Sequence, residues 1–346
     1  MIPLDRLCFV SDYQEGAHSD VLARLCATNL DQSPGYGTDA YCDAAREKIR
    51  AACGCPGAAV HFLVGGTQTN VTVIDALLRP WQGVVAAQSG HISTHEAGAV
   101  ELHGHKVLAL PPTAGKLDAA AIRALCETYW ADESREHIVM PGMVYLSQPT
   151  EFGTLYSRAE LTAIRAVCDT FDLRLYVDGA RLAYALACGE NDVTLPDLAR
   201  LCDAFYIGGT KCGLLFGEAV VIPDGALLPH FFTTVKQHGA LLAKGRLLGV
   251  QFDALFTDGL YFRLGAGAIA KANRLREAFV RAGHPLASES PTNQVFVLLD
   301  DAARERLAQS VAFEVWERRG DNRAVVRFVT SWATTDEAVD KLVALL

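Results

Sequence analysis

The chain has 346 residues, half of them hydrophobic, and a formal net charge of -9 at pH 7. This length exceeds one typical domain and predicts a large domain with a smaller one beside it, built around an extensive core. The negative charge argues against a nucleic-acid-binding protein, which normally carries a basic stripe, but it does not exclude a small anionic ligand held by a few local donors.

Neither a secretory signal nor a membrane span is indicated. The N-terminal residues lack a basic stretch followed by an apolar run, and no window reaches the roughly 18 uninterrupted apolar residues of a spanning helix. The ten cysteines are scattered, and Cys53 and Cys55 have no second pair at metal-finger spacing. We therefore expect reduced thiols, a cytoplasmic location and no metal site.

Short apolar runs alternate with amphipathic stretches over most of the chain. The apolar runs predict strands at Val60–Val64, Gly83–Ala87, Lys106–Leu110, Gly142–Leu146, Leu173–Val177, Ala204–Ile207 and Ala219–Ile222. Helices are predicted at Thr38–Ala52, Ser157–Phe171 and Leu195–Cys202. This alternation predicts a mainly parallel seven-stranded sheet covered by helices, with ligands at the carboxyl ends of its strands.

The remainder of the chain predicts a connector and a smaller α+β domain. The predicted elements are a long connecting helix at about Lys236–Thr257, a helix at Gly265–Ala282, strands near Gln294–Leu298 and Ala324–Val329, and a final helix at about Thr335–Leu346. We therefore place an N-terminal arm and the large domain at residues 1–259, and the small domain at residues 260–346.

A strand-to-helix turn carries the first candidate ligand site. The apolar strand leads into Gly65, Gly66 and Thr67, and a helix capped by Thr67 is predicted to continue through Val71–Leu78 and stop at Pro80. Glycines let the backbone approach an anion, and a helix start offers free N–H groups and the positive end of its dipole. The turn suits a phosphate, although such a segment, taken alone, is more often a plain strand-to-helix turn.

Two further segments place charged residues directly after buried strands. Asp178 ends the run Leu173–Val177, where a carboxylate can keep a pyridine nitrogen protonated, although Asp-Gly also suits a simple turn. Arg181 offers a planar fork for a carboxylate or phenolate-like oxygen, or a partner for a surface acid. Lys211 follows the next strand and Gly208-Gly209, and a lysine held in a low-dielectric site can form an imine with an aldehyde. The chain thus contains, in this order, a turn suited to a phosphate, an aspartate at a strand end and a lysine after the next strand. This order predicts pyridoxal 5'-phosphate (PLP) as the cofactor.

A series of motifs extends over nearly the whole chain. They are Ser11-Asp12, Gly35-Tyr36-Gly37-Thr38-Asp39, Gly66-Thr67-Gln68-Thr69-Asn70, His91 with Glu96-Ala97-Gly98, Gln148-Pro149-Thr150-Glu151-Phe152-Gly153-Thr154, Asp178-Gly179-Ala180-Arg181, Thr210-Lys211, Arg246 and Arg327-Phe328-Val329-Thr330-Ser331. In this order and spacing the chain resembles the low-specificity L-threonine aldolases, particularly their phenylserine-aldolase-like branch, within the β-eliminating lyase group of fold type I PLP enzymes. The resemblance implies an α/β fold of the fold type I PLP-dependent transferase-like kind. It also implies cleavage of L-β-hydroxy-α-amino acids, such as threonine, allo-threonine or phenylserine, to glycine and an aldehyde.

The resemblance also implies roles for individual residues. Lys211 would hold PLP as a Schiff base, and Asp178 would pair with the pyridinium nitrogen. Gly66 and Thr67 would bind the phosphate through backbone and hydroxyl donors. His91 would stack on the pyridine ring and is a candidate to accept the proton of the substrate β-hydroxyl.

Further implied roles concern the phosphate, the substrate carboxylate and the assembly. Arg246 matches an arginine near the cofactor phosphate. Arg181 would contact the cofactor and would also bind the amino-acid carboxylate together with Ser11 and Arg327. Members of the family are typically homotetramers with active sites at a dimer interface, so we expect a homodimer or homotetramer. On that analogy Tyr36 reaches the substrate from the neighbouring subunit, although a tyrosine in a Gly-rich turn explains the sequence equally well.

Two departures from the family pattern leave parts of the chemistry open. Many members carry Asn-Thr-His-Asn where this chain has Gln148-Pro149-Thr150-Glu151, so His91, a water or Glu151 must transfer the hydroxyl proton. The Gly-rich stretch before the matching arginine is replaced by Gly239–Gly245, which leaves the shape of the substrate pocket open. The alternatives are β-elimination, transaldol exchange or transamination on the same scaffold, a non-catalytic PLP-binding protein, and a nucleotide-binding protein that uses the Gly66–Thr67 turn.

Overall fold

The structure is a computed structural model that describes residues 6–346. Residues 1–5, which belong to the predicted N-terminal arm and to the stretch without a signal-peptide pattern, lie outside the described residues. The strands are β1 (Leu7–Cys8), β2 (Ala59–Leu63), β3 (Gln82–Ala87), β4 (Val107–Leu110), β5 (Met140–Ser147), β6 (Arg174–Asp178), β7 (Ala204–Gly208), β8 (Glu218–Ile222), β9 (Gln294–Asp300), β10 (Val311–Ala312), β11 (Glu314–Arg319) and β12 (Arg323–Val329). The α-helices are α1 (Ser19–Ala27), α2 (Ala40–Ala52), α3 (Gly66–Leu77), α4 (His91–Thr94), α5 (Ala99–Leu102), α6 (Ala119–Ala131), α7 (Arg158–Phe171), α8 (Leu182–Ala187), α9 (Leu195–Leu201), α10 (Phe231–Gln237), α11 (Arg246–Leu255), α12 (Leu260–Arg281), α13 (Asp301–Ala308) and α14 (Asp336–Val343).

A seven-stranded sheet forms the centre of the larger part of the molecule. Its strand order is β2-β8-β7-β6-β5-β3-β4, with β4, β3, β5, β6 and β7 parallel and β8 antiparallel to both of its neighbours. Alternate side chains of each strand pack into separate hydrophobic clusters on the two faces; in β6, Leu175 and Val177 enter one cluster and Tyr176 enters the other. The mainly parallel seven-stranded sheet predicted from the sequence is confirmed, because strands buried on both faces have continuous apolar sequences.

A smaller antiparallel sheet of β11, β12 and β9 lies in the C-terminal part and packs with α12, α13 and α14 around its own core. The N-terminal arm joins this part, since β1 pairs in parallel with β10 and Phe9 is buried in the same core. Helix α12 contacts both cores, with Tyr261 in the core of the large sheet and Phe279 in that of the small sheet. The division of the chain at residues 259 and 260 stays a prediction.

The predicted continuous helix at Lys236–Thr257 is wrong. The chain ends one helix at Gln237 and begins the next only at Arg246, while the helix predicted from Gly265 begins earlier, at Leu260. Gly239 has a positive φ of +65°, the left-handed conformation that commonly follows a helix C-terminus. Buried apolar residues continue on both sides of this break, so their spacing alone does not reveal it.

The close packing of α11 on α2 has a consequence for stability. A Cβ atom added at Gly249 would lie 2.5 Å from both the backbone nitrogen and the Sγ atom of Cys42. We therefore expect Gly249→Ala to lower the free energy of unfolding by about 1–3 kcal/mol, the usual cost of overpacking. Urea unfolding followed by circular dichroism measures the change.

A matched control lies within α12, where a Cβ atom on Gly267 would meet only Lys271 Nζ, at 3.9 Å. Gly267→Ala is expected to raise the free energy of unfolding by about 1 kcal/mol, since alanine is the better helix former. A Gly249→Ala protein that is as stable as Gly267→Ala would contradict the close approach of the two helices.

Among the described residues, no helix is both long and apolar enough to cross a membrane. From residue 6 onward, no group of three or more His, Cys, Asp or Glu side chains is arranged to hold a metal ion. All ten cysteines are free thiols, and most of them are buried.

Candidate active site

A cavity of about 270 Å³ lies at the edge of the large sheet where its parallel strands end. Six residues predicted for the site line it together: Gly66, Thr67, His91, Asp178, Arg181 and Lys211. A larger cavity, of about 520 Å³, lies where the strands begin, beside Gln82, Gly142 and Arg174, and contains none of the predicted residues. The position of the site thus follows the rule that ligands of open α/β sheets bind at the carboxyl ends of the strands.

Helix α3 begins at the cavity. Its N-cap residue is Gly65, which has no side chain to bond the first-turn N–H groups, so those donors are left for another acceptor. Gly66 and Thr67 line the cavity at this end of the helix. The prediction that Thr67 caps the helix is wrong, because Thr67 lies inside the first turn and Gly65 holds the capping position.

Asp178 is buried at the end of β6 and accepts three side-chain hydrogen bonds. Oδ1 accepts from Tyr206 Oη at 2.5 Å, and Oδ2 accepts from Tyr145 Oη at 2.7 Å and from Asn70 Nδ2 at 3.0 Å. Burial alone would raise the pKa of Asp178, but the nearby His91 and these three donors lower it overall. The cavity therefore holds an ionised carboxylate that can pair with a protonated ring nitrogen.

His91 opens α4, directly after the loop that follows β3. Its Nδ1 lies 2.8 Å from Glu96 Oε1, which also accepts a hydrogen bond from Asn70 Nδ2 at 2.7 Å. Burial lowers the pKa of His91, but the hydrogen bond with Glu96 and the charge of Asp178 raise it overall. The imidazole is thus held through Nδ1, and Asn70 links its partner Glu96 to Asp178.

Lys211 lies in the turn between β7 and β8 and lines the cavity. Burial and the charge of Arg181 lower the pKa of Lys211, which increases the fraction of the neutral amine that attacks a carbonyl. Glu218, at the start of β8, accepts a hydrogen bond from Thr210 Oγ1 at 2.7 Å, while its other oxygen is buried without a partner. The Tyr13 ring centre lies 5.9 Å from Lys211 Nζ on another side of the cavity.

Arg181 lines the cavity, but its planar fork is already engaged. Its Nε and Nη2 atoms donate to the two carboxylate oxygens of Asp12, at 2.7 and 3.0 Å. Asn293 Nδ2 also donates to Asp12, at 2.9 Å, so this buried carboxylate joins the N-terminal arm to both sheets. Binding of a ligand by Arg181 therefore stays a prediction that depends on its remaining nitrogen, Nη1.

Four predicted site residues do not line this cavity: Ser11, Tyr36, Arg246 and Arg327. Ser11 is buried next to Asp12 in the arm. Arg327 is also buried; its Nη1 donates to Gln294 Oε1 at 2.7 Å and its Nη2 pairs with Glu314. Their contact with a substrate carboxylate stays a prediction.

Tyr36 and Arg246 do not line the cavity that contains Lys211. Tyr36 has a positive φ of 61° and lines a separate crevice, where Lys236 Nζ lies 4.7 Å from its ring centre. Arg246 donates to the backbone carbonyls of Thr28 and Asp31. The structure does not bring Arg246 to the phosphate-binding turn of its own chain, so its predicted role depends on a neighbouring subunit.

The sequence gives little or no indication that several of the side chains at the site belong there. Tyr145 and Tyr206 lie within apolar strands, where a tyrosine is usually an ordinary core residue. Asn70 and Glu96 belong to recognised motifs, but the sequence gives no reason for their contact with each other. Glu218 directly precedes a predicted strand at the ligand-binding edge, and a charged residue there is the signal that could have identified it.

The chain is similar in sequence to known proteins. The family model described as beta-eliminating lyase matches residues 9–302. The chain is 31% identical over 340 residues to a low specificity L-threonine aldolase of Pseudomonas aeruginosa, an alignment covering 96% of this chain and 95% of that protein. The low specificity L-threonine aldolase of Saccharomyces cerevisiae is 24% identical over 313 residues, with 87% and 77% covered.

Solved structures show the same fold. The threonine aldolase of Leishmania major superposes with a TM-score of 0.95 and 43% identity, covering 98% of each chain. An aspartate aminotransferase of Thermus thermophilus superposes with a TM-score of 0.71 at 15% identity, covering 99% of this chain and 91% of the other, and thus shares the fold alone. The predicted fold type I architecture is confirmed.

Proposed function

Because the chain belongs to the β-eliminating lyase family, we propose that it is a PLP-dependent carbon–carbon lyase of the threonine aldolase kind. Its substrates are L-β-hydroxy-α-amino acids of the threonine, allo-threonine or phenylserine type, and its products are glycine and an aldehyde. The observation that carries this proposal is the meeting of Lys211, Asp178 and the uncapped start of α3 in one cavity. Similarity to L-threonine aldolases over almost the full length favours this reaction over β-elimination, transaldol exchange or transamination.

The donors and charges at the cavity fit PLP in three places. The free N–H groups at the start of α3, with Gly66 and Thr67, suit its phosphate. The ionised Asp178 suits its pyridinium nitrogen, and the amine of Lys211 suits its aldehyde carbon. His91, held by Glu96, is available to cover the ring.

When bound, PLP supplies a protonated ring that accepts the electron pair left on the substrate Cα atom. Asp178 keeps a proton on the ring nitrogen, since its own pKa is lowered by its hydrogen-bond donors and by His91. Lys211, whose lowered pKa favours the neutral amine, is the residue that would hold the cofactor covalently. Both residues lie at the carboxyl ends of neighbouring strands, so the rigid sheet fixes their separation.

The substrate carboxylate is proposed to bind near Arg181 and Arg327, with Ser11 beside them. The charge of Arg181 contributes, after burial, to lowering the pKa of Arg327, which means that the two guanidinium groups repel each other. An anion placed near both would relieve this repulsion and gain charge-assisted hydrogen bonds.

A direct assay tests the reaction. Purified protein with added PLP is expected to release acetaldehyde from L-threonine, or benzaldehyde from L-phenylserine, with one glycine formed for each aldehyde. Reduction of the aldehyde by a coupled dehydrogenase and chromatography of glycine measure the two products. The absence of aldehyde from all of threonine, allo-threonine and phenylserine would rule out the aldolase assignment.

We further propose a homodimer or homotetramer with active sites at the dimer interface, working in the cytoplasm. Neither Tyr36 nor Arg246 lines the cavity of its own chain, which supports a role for them in a neighbouring subunit. Ten free thiols are compatible with a reducing compartment. The proposed domains remain residues 1–259 and 260–346.

A further inference from the structure

Glu151 lies in the turn after β5 and lines the same cavity as Lys211 and Asp178. Its Oε1 atom accepts two hydrogen bonds, from Ser147 Oγ at 2.8 Å and from the backbone N–H of His91 at 2.8 Å. Neither contact involves Oε2, which accepts no hydrogen bond from the described residues, and Glu151 lines the cavity. The carboxylate is therefore held in a fixed orientation through one oxygen, with the other available to a ligand.

The surroundings of Glu151 make it a stronger base than an ordinary carboxylate. Burial raises the pKa of Glu151, and the charge of Asp178 adds to this, while Ser147 and His91 act in the opposite direction. The phenols of Tyr145 and Tyr156 also interact with its charge, and the side chains of Lys211 and Arg181 line the same cavity. A carboxylate with a raised pKa holds a captured proton more firmly and is better matched to a hydroxyl donor near neutral pH.

The imidazole of His91 is less available than Glu151 to accept a proton near neutral pH. Its Nδ1 is already paired with Glu96, and that hydrogen bond, together with the charge of Asp178, raises the pKa of the imidazole. A ring that is protonated more readily is a proton donor over more of the pH range, and is less often free to accept a proton. The arrangement suits His91 for covering a ligand and Glu151 for taking its proton.

We propose that Oε2 of Glu151 accepts the proton of the substrate β-hydroxyl, an inference that rests on the proposed aldolase function. As the proton moves to Oε2, the O–H electron pair becomes the second bond of the aldehyde carbonyl. The Cα–Cβ bond breaks in the same step, and its electron pair remains with Cα. Cα takes up one proton to give glycine, and Glu151 gives up the proton it accepted, so the reaction has no net change in protons.

The substitution Glu151→Gln tests this assignment. The amide oxygen can still accept from Ser147 and from the His91 N–H, but the amide nitrogen in place of Oε2 cannot accept a proton. We expect kcat for cleavage of L-phenylserine to fall by about 10²–10⁴-fold, the usual contribution of a general base. The acid limb of the kcat/KM profile, which in the wild type follows deprotonation of Glu151 as pH rises, is expected to disappear.

Three readouts separate a chemical role from a structural one. The affinity of the apoprotein for PLP and the rate of exchange of the Cα proton of glycine in deuterated water are expected to stay within about twofold of the wild type, and the thermal midpoint is expected to be unchanged. None of the three needs the β-hydroxyl step. Glu151→Asp keeps a carboxylate and is expected to recover part of the cleavage rate and the acid limb. Glu127→Gln, an exposed substitution on α6, is the matched control and is expected to behave as the wild type.

The outcomes distinguish this inference from the function on which it rests. Wild-type protein that releases no aldehyde contradicts the proposed function itself. If the wild type cleaves phenylserine, a Glu151→Gln protein with kcat and acid limb unchanged overturns the role of Glu151. Equal losses of cleavage, glycine exchange and PLP affinity, with no recovery in Glu151→Asp, would also overturn it, since they would indicate a purely structural role.

Discussion

Lys211→Ala is expected to bind PLP without forming a covalent bond and to lose at least about 10³-fold in kcat, equivalent to about 4 kcal/mol in the activation barrier. The lysine is the amine that the cavity places among Asp178, Arg181 and the start of α3, and its lowered pKa keeps it reactive. Alanine removes the nucleophilic amine. Steady-state kinetics with L-threonine and the visible absorbance of the holoenzyme measure the two effects.

The matched control for this substitution is Lys106→Ala, at an exposed position before β4. It is expected to keep the visible absorbance and kcat of the wild type. A Lys211→Ala protein that retains more than about one-tenth of the wild-type kcat would contradict the role of Lys211, since covalent catalysis normally contributes far more.

Asp178→Asn is expected to lower kcat by at least about 10²-fold, the scale seen when one preorganised charged or hydrogen-bonding group is removed from an active site. The amide keeps the shape of the carboxylate but cannot stabilise a protonated ring nitrogen. It also presents an NH₂ group to hydroxyl and amide groups that now donate to Asp178, from Tyr206, Tyr145 and Asn70. The lost charge and the misplaced NH₂ group are both expected to slow the step in which electrons move from Cα towards the ring.

Asp172→Asn provides the control, because Asp172 is exposed and has a left-handed backbone conformation that asparagine readily adopts. Stopped-flow absorbance after mixing with glycine measures loss of the Cα proton directly. If Asp178→Asn abstracts this proton as fast as the control, the ring nitrogen does not depend on Asp178 for its proton.

The sequence predicted most accurately those elements whose position in the fold follows from a local residue pattern. Buried parallel strands have short apolar sequences, so Leu173–Val177 and Ala204–Ile207 could be located to within a residue or two of β6 and β7. The same pattern puts Asp178 and Lys211 at neighbouring strand ends, which is why their meeting could be predicted. The break after α10 could not, because apolar residues remain buried on both sides of Gly239.

Side-chain partners across the fold were less predictable. Arg181 was expected to offer its fork to a ligand, but Asp12, far away in the sequence, engages two of its nitrogens. The convergence of Tyr145 and Tyr206 on Asp178 depends on strand register, which the sequence of any one strand does not determine. Such contacts arise from tertiary structure, whereas the apolar runs that predict strands are local.

Borohydride reduction of the PLP-loaded protein, followed by peptide mass mapping, tests whether Lys211 holds the cofactor. Borohydride converts an imine between PLP and a lysine into a stable bond, so the modified residue can be identified. One modified residue, Lys211, is the expected result, together with loss of aldehyde release from L-threonine. A protein that takes up no PLP, or that carries the modification on another lysine and leaves Lys211 free, would contradict the assignment of this cavity as a PLP-dependent active site.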